Sequence, residues 1–256
     1  MKFKRFLAIA VFTLLSFQGH ATHLLGGEIV WKCKPNGKYQ FTLILYRECA
    51  GVSLPTTAQS LATNAGVSIS CAFISTTDVV PSCYTGTASC AGATSGEGRM
   101  QKYVYRSGDI TLTGTPPASG WYFTWNSCCR PGTISNVVSP GGAGYLLRAV
   151  MYPYTPPGST TALSAGTAAN PTCFDNSPNF LEDPQVTSCT NVDVVYNNLG
   201  YDPDLDSLYY NWSYPWDASS FSANPATNSV SFSSGYSWNS PLPSGSTSTA
   251  ASIDGE

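Results

Sequence analysis

Charged side chains and histidines are scarce in this chain of 256 residues. Asp, Glu, Lys and Arg together make up 11% of it, and only two residues are histidines. The later of these, His23, is so close to the N-terminus that we expect it to be poorly fixed. Nucleophilic sites that rely on histidine need that side chain held in place. The composition therefore argues against an enzyme of this kind.

Long apolar runs are also missing after the first twenty residues. The N-terminus has three basic residues within its first five, an apolar stretch over residues 6–17, and small residues up to Ala21. The stretch is shorter than the roughly 20 apolar residues that cross a bilayer. This order of basic, apolar and small residues is typical of a signal peptide. We therefore expect residues 1–21 to be a cleaved leader and the mature chain to be exported, extracellular or on the outer cell surface.

Zinc-type cysteine pairs are absent as well, although the chain has nine cysteines. No two of them show the C-x-x-C spacing that many zinc sites use. In an exported protein we expect disulfides instead, and an odd number leaves at least one thiol free or paired outside the chain. The simplest local pairs are Cys83 with Cys90 and Cys173 with Cys189, while the sequence leaves the connectivity open.

Two of the cysteines, Cys128 and Cys129, are adjacent. Neighbouring side chains on an extended strand point to opposite faces of the sheet. We therefore expect each of the two to bridge a different segment. A disulfide between them is the less favoured alternative.

No twelve-residue window after the leader has the apolar spacing of an amphipathic helix, whereas alternating patterns predict strands. The clearest prediction is a hairpin around the Pro-Asn-Gly turn at residues 35–37. Its second strand places four apolar side chains on one face: Tyr39, Phe41, Leu43 and Leu45. Further strands are predicted over residues 67–74, 100–105, 110–113, 121–126, 133–138 and 145–151. The expected fold class is all-β, with two sandwich-like modules.

Charge divides the chain into two parts. Residues 22–148 contain nine Lys and Arg against five Asp and Glu, a net charge of +4, whereas residues 149–256 have ten acids and no Lys or Arg. Such a division indicates two modules with different surfaces. The acidic part disfavours nucleic acid as a partner and favours cations. The basic excess of the first part is too dilute to predict nucleic-acid binding.

The predicted domain organisation follows this division. Residues 22–152 form a disulfide-stapled β-sandwich, residues 153–172 a linker rich in Pro, Gly, Ser and Thr, and residues 173–256 a second β module. Within the first module, residues 50–98 have a poor apolar pattern. We expect that stretch to be a long excursion that builds no core and is tied down by disulfides.

Three carboxylates, Asp202, Asp204 and Asp206, alternate over five residues of the acidic part. Clustered carboxylates repel one another unless a cation neutralises them, and calcium binds several such oxygens. The spacing lacks the glycine and glutamate of an EF-hand loop. The alternative is a solvated turn in which the aspartates accept hydrogen bonds from backbone amides.

The order of SPNF at residues 177–180 and DPDLDSLYY at residues 202–210 resembles cadherin-like and immunoglobulin-like repeats of bacterial surface proteins. In those repeats, carboxylates that match Asp202, Asp204 and Asp206 contribute to calcium sites near domain junctions. The resemblance implies that Asn176, at the domain entry, belongs to the same site. SIDGE at residues 252–256 resembles the start of a later strand, so the second module is expected to be incomplete.

Three motifs of the first part resemble the N-terminal region of large exported proteins of Bacteroidota, whose members often end in a gliding-motility-associated C-terminal domain for type IX secretion. The motifs are Gly26-Gly27-Glu28, Tyr46-Arg47-Glu48-Cys49, and Cys128-Cys129-Arg130 with Ile134 and Asn136. The chain departs from that pattern at Pro131. The resemblance implies a surface protein exported by that route.

These observations predict a non-catalytic structural or adhesion protein of the cell surface with a calcium-stabilised β module. Its expected partners are surface polysaccharide, other cell-surface proteins or further repeats of the same polypeptide. A carbohydrate-binding module of a polysaccharide-processing system is the alternative, and an enzyme comes third.

We expect Trp121, Phe123 and Trp125, which alternate on one strand, to be core residues rather than a sugar-binding surface. Arg47 is expected to form an ion pair or a hydrogen-bonded corner.

Overall fold

The computed structural model describes residues 24–80, 89–94, 98–166, 173–184, 197, 199–217 and 229–241. Their regular structure is nine strands and one short 3-10 turn, Pro140–Gly142. The strands are β1 (Leu24–Cys33), β2 (Tyr39–Glu48), β3 (Gln59–Thr63), β4 (Ile69–Val79), β5 (Met100–Ser107), β6 (Trp121–Cys128), β7 (Gly144–Met151), β8 (Asn179–Phe180) and β9 (Gly200–Tyr201). The predicted all-β fold is confirmed. The predicted leader, Cys83, Cys189 and the C-terminal SIDGE stretch lie outside the described residues.

Strands β1 to β7 form one antiparallel sheet in the order β1-β2-β5-β4-β3-β6-β7. The sheet bends at β3, where residues 59–61 pair with β4 and residues 62–63 pair with β6. This bend brings β6 and β7 over the first strands, so that β1 at one edge contacts β7 at the other. The sheet therefore packs against itself and encloses the core.

The first two strands form the predicted hairpin. Its turn is closed by two hydrogen bonds of 2.9 Å, from Lys34 N to Lys38 O and from Gly37 N to Lys34 O. Gly37 has a φ of 75°, which glycine adopts without steric cost. The register places Trp31 opposite Phe41, and the four apolar side chains predicted to share one face of β2 are all buried.

The other strand predictions are confirmed in four cases and wrong in two. Strands β4, β5, β6 and β7 occupy predicted positions. Residues 110–113 contribute only the bridge from Ile110 to Tyr39, and residues 133–138 only the bridge from Val137 to Phe232. The core-free excursion predicted for residues 50–98 is also wrong, because Leu54, Leu61 and other side chains of that stretch belong to the main core.

The core lies between the two parts of the bent sheet. The ring of Phe123 on β6 lies 4.5 Å from that of Phe41 on β2 and 5.6 Å from that of Trp31 on β1, measured between ring centroids. Trp121 and Trp125 are also buried, which confirms that this strand face is core. Full burial of one large apolar side chain contributes about 1.5–3 kcal/mol, so these rings hold the two parts of the sheet together.

The disulfides join distant segments. The described bonds are Cys33–Cys173, Cys49–Cys90 and Cys128–Cys129. Both local pairs predicted from spacing are therefore wrong, because the fold brings the partners together across 140 and 41 residues. The prediction that the two adjacent cysteines bridge different segments is wrong as well. Among the described cysteines, Cys71 is free and buried.

Arg47 forms the predicted hydrogen-bonded corner at the end of β2. Its Nη1 donates to the carbonyl oxygens of Glu48, Cys49 and Gly51, at 2.7 to 3.1 Å. Its Nε and Nη2 donate to the side-chain oxygen of Gln101 on β5. The guanidinium thus fixes the backbone where the chain leaves the sheet, at Cys49 and its disulfide.

The described residues after β7 pack on this sheet. Ala165, in the predicted linker, is buried and forms a bridge with Gly114. Between residues 173 and 241, the strands that the structure describes are β8 and β9, which pair with each other. Val230 packs against Val137 in a second, small core. The full extent of the second module stays a prediction.

Within the part of the chain that the structure describes, no helix is long and apolar enough to cross a membrane.

Candidate functional site

The predicted aspartate loop begins directly after β9 and turns tightly. The Oδ1 atom of Asp202 accepts a hydrogen bond from Asp204 N at 2.7 Å, and Leu205 N donates to Asp202 O at 3.1 Å. Leu205 has a φ of 64°, a conformation that residues other than glycine rarely adopt. Asp202 is only 7% exposed. The first aspartate of the loop therefore caps the turn, as the alternative interpretation of this motif expected.

Asn176 connects this loop to the sheet. Its side-chain oxygen accepts a hydrogen bond from Cys33 N at 2.8 Å. Its backbone N donates to Asp204 Oδ2 at 2.6 Å, and its side-chain Nδ2 donates to Asp204 Oδ1 at 2.9 Å. Next to it, Ser177 accepts from Trp31 N and donates to Trp31 O. The amide of Asn176 thus positions the loop against the end of β1.

Asp175 is a member of the cluster that the sequence motif does not include. Its Oδ2 accepts a hydrogen bond from the indole Nε1 of Trp31 at 3.1 Å. The pKa of Asp175 is raised to about 6, mainly by burial and less by the carboxylates of Asp204, Asp202 and Asp206, while the hydrogen bond from Trp31 lowers it. Four carboxylates are therefore crowded at the junction between β1 and the aspartate loop. The sequence signal that could have identified Asp175 is its position two residues after Cys173, because the disulfide anchors this segment to Cys33.

The fit of this cluster to a metal ion is partial. Within the described ranges, no three acidic, histidine or cysteine side chains are arranged as a metal-binding group. Both carboxylate oxygens of Asp204 are engaged by Asn176, and one oxygen each of Asp175 and Asp202 is engaged elsewhere. The remaining oxygens, with those of Asp206, are the donors that calcium prefers. The described geometry therefore shows a capped turn whose carboxylates act electrostatically on the half-buried Asp175.

A cleft of about 930 Å³ is lined by both edge strands of the sheet. Its lining consists mostly of residues 26–30 of β1, residues of β7 with Tyr152, and residues 208–216. The cleft is open between the two edge strands of the sheet, where β1 and β7 meet. Pockets of this size hold small organic ligands.

Two arginines in this cleft lie over aromatic rings. The guanidinium carbon of Arg130 is 4.0 Å from the ring centroid of Tyr145, and that of Arg148 is 4.5 Å from the ring of Trp216. Arg130 is 9% exposed, and its Nη2 donates to Trp216 O at 3.1 Å. Burial lowers the pKa of Arg130, which the tyrosine and Asp217 oppose. Cation–π contacts of this kind fix the direction of the guanidinium.

Glu28 lies in the same cleft, on β1. Burial raises the pKa of its carboxyl group, which the positive charge of Lys102 and a hydrogen bond from the backbone N of Phe180 partly offset. Lys102 itself binds Asp183 at 2.7 Å, and Tyr46 donates to the same carboxylate oxygen at 2.9 Å. The G-G-E motif of the sequence therefore contributes to this cleft.

Three polar side-chain atoms, Arg130 Nε, Trp216 Nε1 and Asn179 Oδ1, are buried without a hydrogen-bond partner among the described residues. All three residues line the cleft. A buried polar atom without a partner costs about 1–3 kcal/mol. No local pattern predicts this grouping, because the three residues are distant along the chain.

The described residues hold no histidine, since both histidines lie outside them. Burial raises the pKa of the free thiol of Cys71 to about 11, which disfavours the nucleophilic thiolate.

No protein-family model, curated protein or solved structure matches this chain. The resemblances of its motifs therefore stay predictions.

Proposed function

We propose that this chain is a non-catalytic structural or adhesion module of the outer cell surface, and that its aspartate cluster is stabilised by calcium. A sheet closed around an aromatic core and three disulfides are typical of exported domains that must remain folded outside the cell. The motif resemblance to exported Bacteroidota surface proteins supports the same location.

The observation that carries this proposal is the crowding of carboxylates around Asp175. Burial and three neighbouring carboxylates all raise its pKa, so the ionised form of Asp175 destabilises the folded chain near neutral pH. A divalent cation supplies the positive charge that would offset this repulsion. Asp175, Asp202 and Asp206 would provide the oxygens, while Asn176 and Asp204 hold the loop in place. Calcium would then stabilise the folded chain by binding it and not the unfolded one.

Thermal unfolding of the oxidised full chain, with calcium or with chelator, tests this proposal. At a hundredfold excess of calcium over Kd, we expect a rise in Tm on the order of 5 °C. Asp206→Asn should abolish most of the rise, because Asp206 is one of the proposed oxygen donors. The substitution should leave the fold intact, because no described hydrogen bond requires that side chain. Glu182→Gln, an exposed acid outside the cluster, is the matched control and should keep the rise. An equal Tm in millimolar calcium and in chelator would refute the calcium site.

A carbohydrate-binding module is the second candidate function. The cleft favours it, because exposed aromatic side chains are grouped along its lining. Tyr152, Phe180 and Tyr209 all line the cleft and are exposed. Retention of the chain on an insoluble polysaccharide, independent of calcium, would favour this candidate.

A further inference from the structure

We infer that the cleft between β1 and β7 binds a neutral saccharide. This inference rests on the proposed adhesive or carbohydrate-binding function and names the site and the class of ligand. The site is distinct from the aspartate loop, since none of the residues of that loop line the cleft.

The aromatic lining supplies the apolar contact that sugar rings need. Tyr209 at the rim is 87% exposed, and Tyr152 and Phe180 are exposed beside it. Deeper in the cleft, Tyr145 and Trp216 are held in place by the two arginines. Flat faces of sugar rings, which carry C–H groups, pack on such aromatic rings and cover them from water. A volume of about 930 Å³ accommodates more than one sugar ring.

The polar atoms of the lining set the chemistry of the ligand. Arg130 Nε and Trp216 Nε1 are hydrogen-bond donors without partners in the described chain, and Asn179 Oδ1 is an acceptor without one. The two donor residues are in contact, because Arg130 Nη2 donates to the backbone carbonyl of Trp216. A carboxylate or phosphate could satisfy the donors but not the acceptor. A hydroxyl group both donates and accepts, so a polyhydroxylated ligand matches both kinds of atom.

The charges near the cleft favour a neutral ligand over an acidic one. The cleft combines the positive charges of Arg130 and Arg148 with two carboxyl groups, that of Glu28 in the lining and that of Asp217, which accepts from Gly144 N at 2.6 Å. Asp217 also interacts electrostatically with Arg130. Both guanidiniums are already stacked on rings. The cleft therefore presents nearly balanced charge, which gives an acidic sugar no net attraction.

Affinity electrophoresis of the oxidised full chain tests the inference, with neutral polysaccharides (mannan, xylan, β-glucan) and an acidic one (polygalacturonate) in native gels. We expect retardation by at least one neutral polysaccharide and none by polygalacturonate. Tyr209→Ala should weaken binding about tenfold, which corresponds to about 1.4 kcal/mol. Tyr154→Ala is the matched control, since Tyr154 is also exposed and lies outside the cleft. It should leave the affinity unchanged.

A second measurement distinguishes a loss of binding from misfolding of a variant. Binding of a neutral oligosaccharide should change the tryptophan fluorescence of the chain, and Trp216→Phe should remove most of that change. Absence of binding to every neutral polysaccharide, equal losses in Tyr209→Ala and Tyr154→Ala, or binding to polygalacturonate alone would each overturn the inference. A chain that calcium stabilises but that binds no glycan would overturn this inference and leave the calcium proposal intact.

Discussion

The part of the chain that forms β1 to β7 and the part that follows residue 172 are ordered by different means. The first part is ordered by backbone pairing around one aromatic core. The second part, within its described residues, has two strands of two residues each and depends on contacts with the first, through side chains and through single backbone bridges such as that of Phe232 with Val137. These contacts include the Cys33–Cys173 disulfide and the Lys102–Asp183 ion pair.

The difference explains the uneven distribution of charge. The acidic part contains no Lys or Arg, and the cations that it contacts belong to the first part: Lys102, Arg130 and Arg148. Opposite charges on the two parts therefore favour their association, although each partly exposed ion pair contributes little by itself. The division of charge predicted two modules with different surfaces. In the structure, these oppositely charged surfaces contact each other. The following predictions test this comparison, from the largest expected effect to the smallest.

Phe123→Ala should have the largest effect on stability. The ring of Phe123 joins β6 to β1 and β2, and its loss leaves a cavity between the two parts of the sheet. We expect the free energy of unfolding to fall by about 3–5 kcal/mol. The same substitution at the exposed Phe180 should change it by less than about 0.5 kcal/mol. Chemical denaturation of both variants measures the difference, and similar losses would contradict the contrast between the parts.

Removal of the Cys33–Cys173 bond, in a Cys33→Ser and Cys173→Ser double variant, should cost about 2–4 kcal/mol. The bond closes a loop of 140 residues, and the Cys49–Cys90 bond closes one of 41. By the entropy of loop closure, the longer bond should contribute about 1 kcal/mol more. The matching Cys49→Ser and Cys90→Ser variant is the comparison, measured by denaturation. A smaller loss for the longer loop would show that the second part is anchored by other contacts.

Asp175→Asn should stabilise the chain in chelator. The asparagine can still accept the hydrogen bond from Trp31, while the repulsion from the three loop carboxylates is removed. We expect a gain on the order of 1 kcal/mol, because partial exposure screens the charge. The same variant should lose part of the calcium response. Thermal unfolding with calcium and with chelator measures both effects, and a destabilised variant in chelator would contradict the account of crowded carboxylates.

Glu28→Gln should have a small effect that depends on pH. The pKa of Glu28 is raised in the folded chain, mainly by burial, so the folded state holds its proton more tightly than the unfolded state. The stability that Glu28 contributes therefore falls as pH rises above the ordinary glutamate pKa of 4.5. The variant should have a higher Tm than the natural chain at pH 7, and the difference should disappear toward pH 4. A difference that grows at low pH would contradict the sign.

Local patterns predicted most of the sheet. The hairpin and strands β4 to β7 alternate apolar and polar residues, because one face of each strand meets the core. Strand β3 (Gln59–Thr63) was missed because Leu61 is its one large apolar side chain. That strand is held by pairing with β4 and β6 on its two sides, and such long-range pairing leaves no local pattern.

The candidate sites were predictable only where their residues are neighbours in the sequence. The alternating aspartates pointed to the loop, but Asp175 enters the cluster through the disulfide to Cys33 and its contact with Trp31. The cleft brings together residues from β1, from β7 and from the stretch after residue 207. Disulfide partners were equally hidden, because bond formation follows proximity in the fold and not spacing along the chain.

Disulfide mapping of the oxidised full chain by mass spectrometry tests most directly whether the acidic part is anchored on the sheet. The structure predicts a peptide with Cys33 joined to one with Cys173, and a peptide with Cys49 joined to one with Cys90. Recovery of both pairs without reductant would support the account. A bond between Cys173 and Cys189 in their place would contradict it, because the acidic part would then be closed on itself as an independent module.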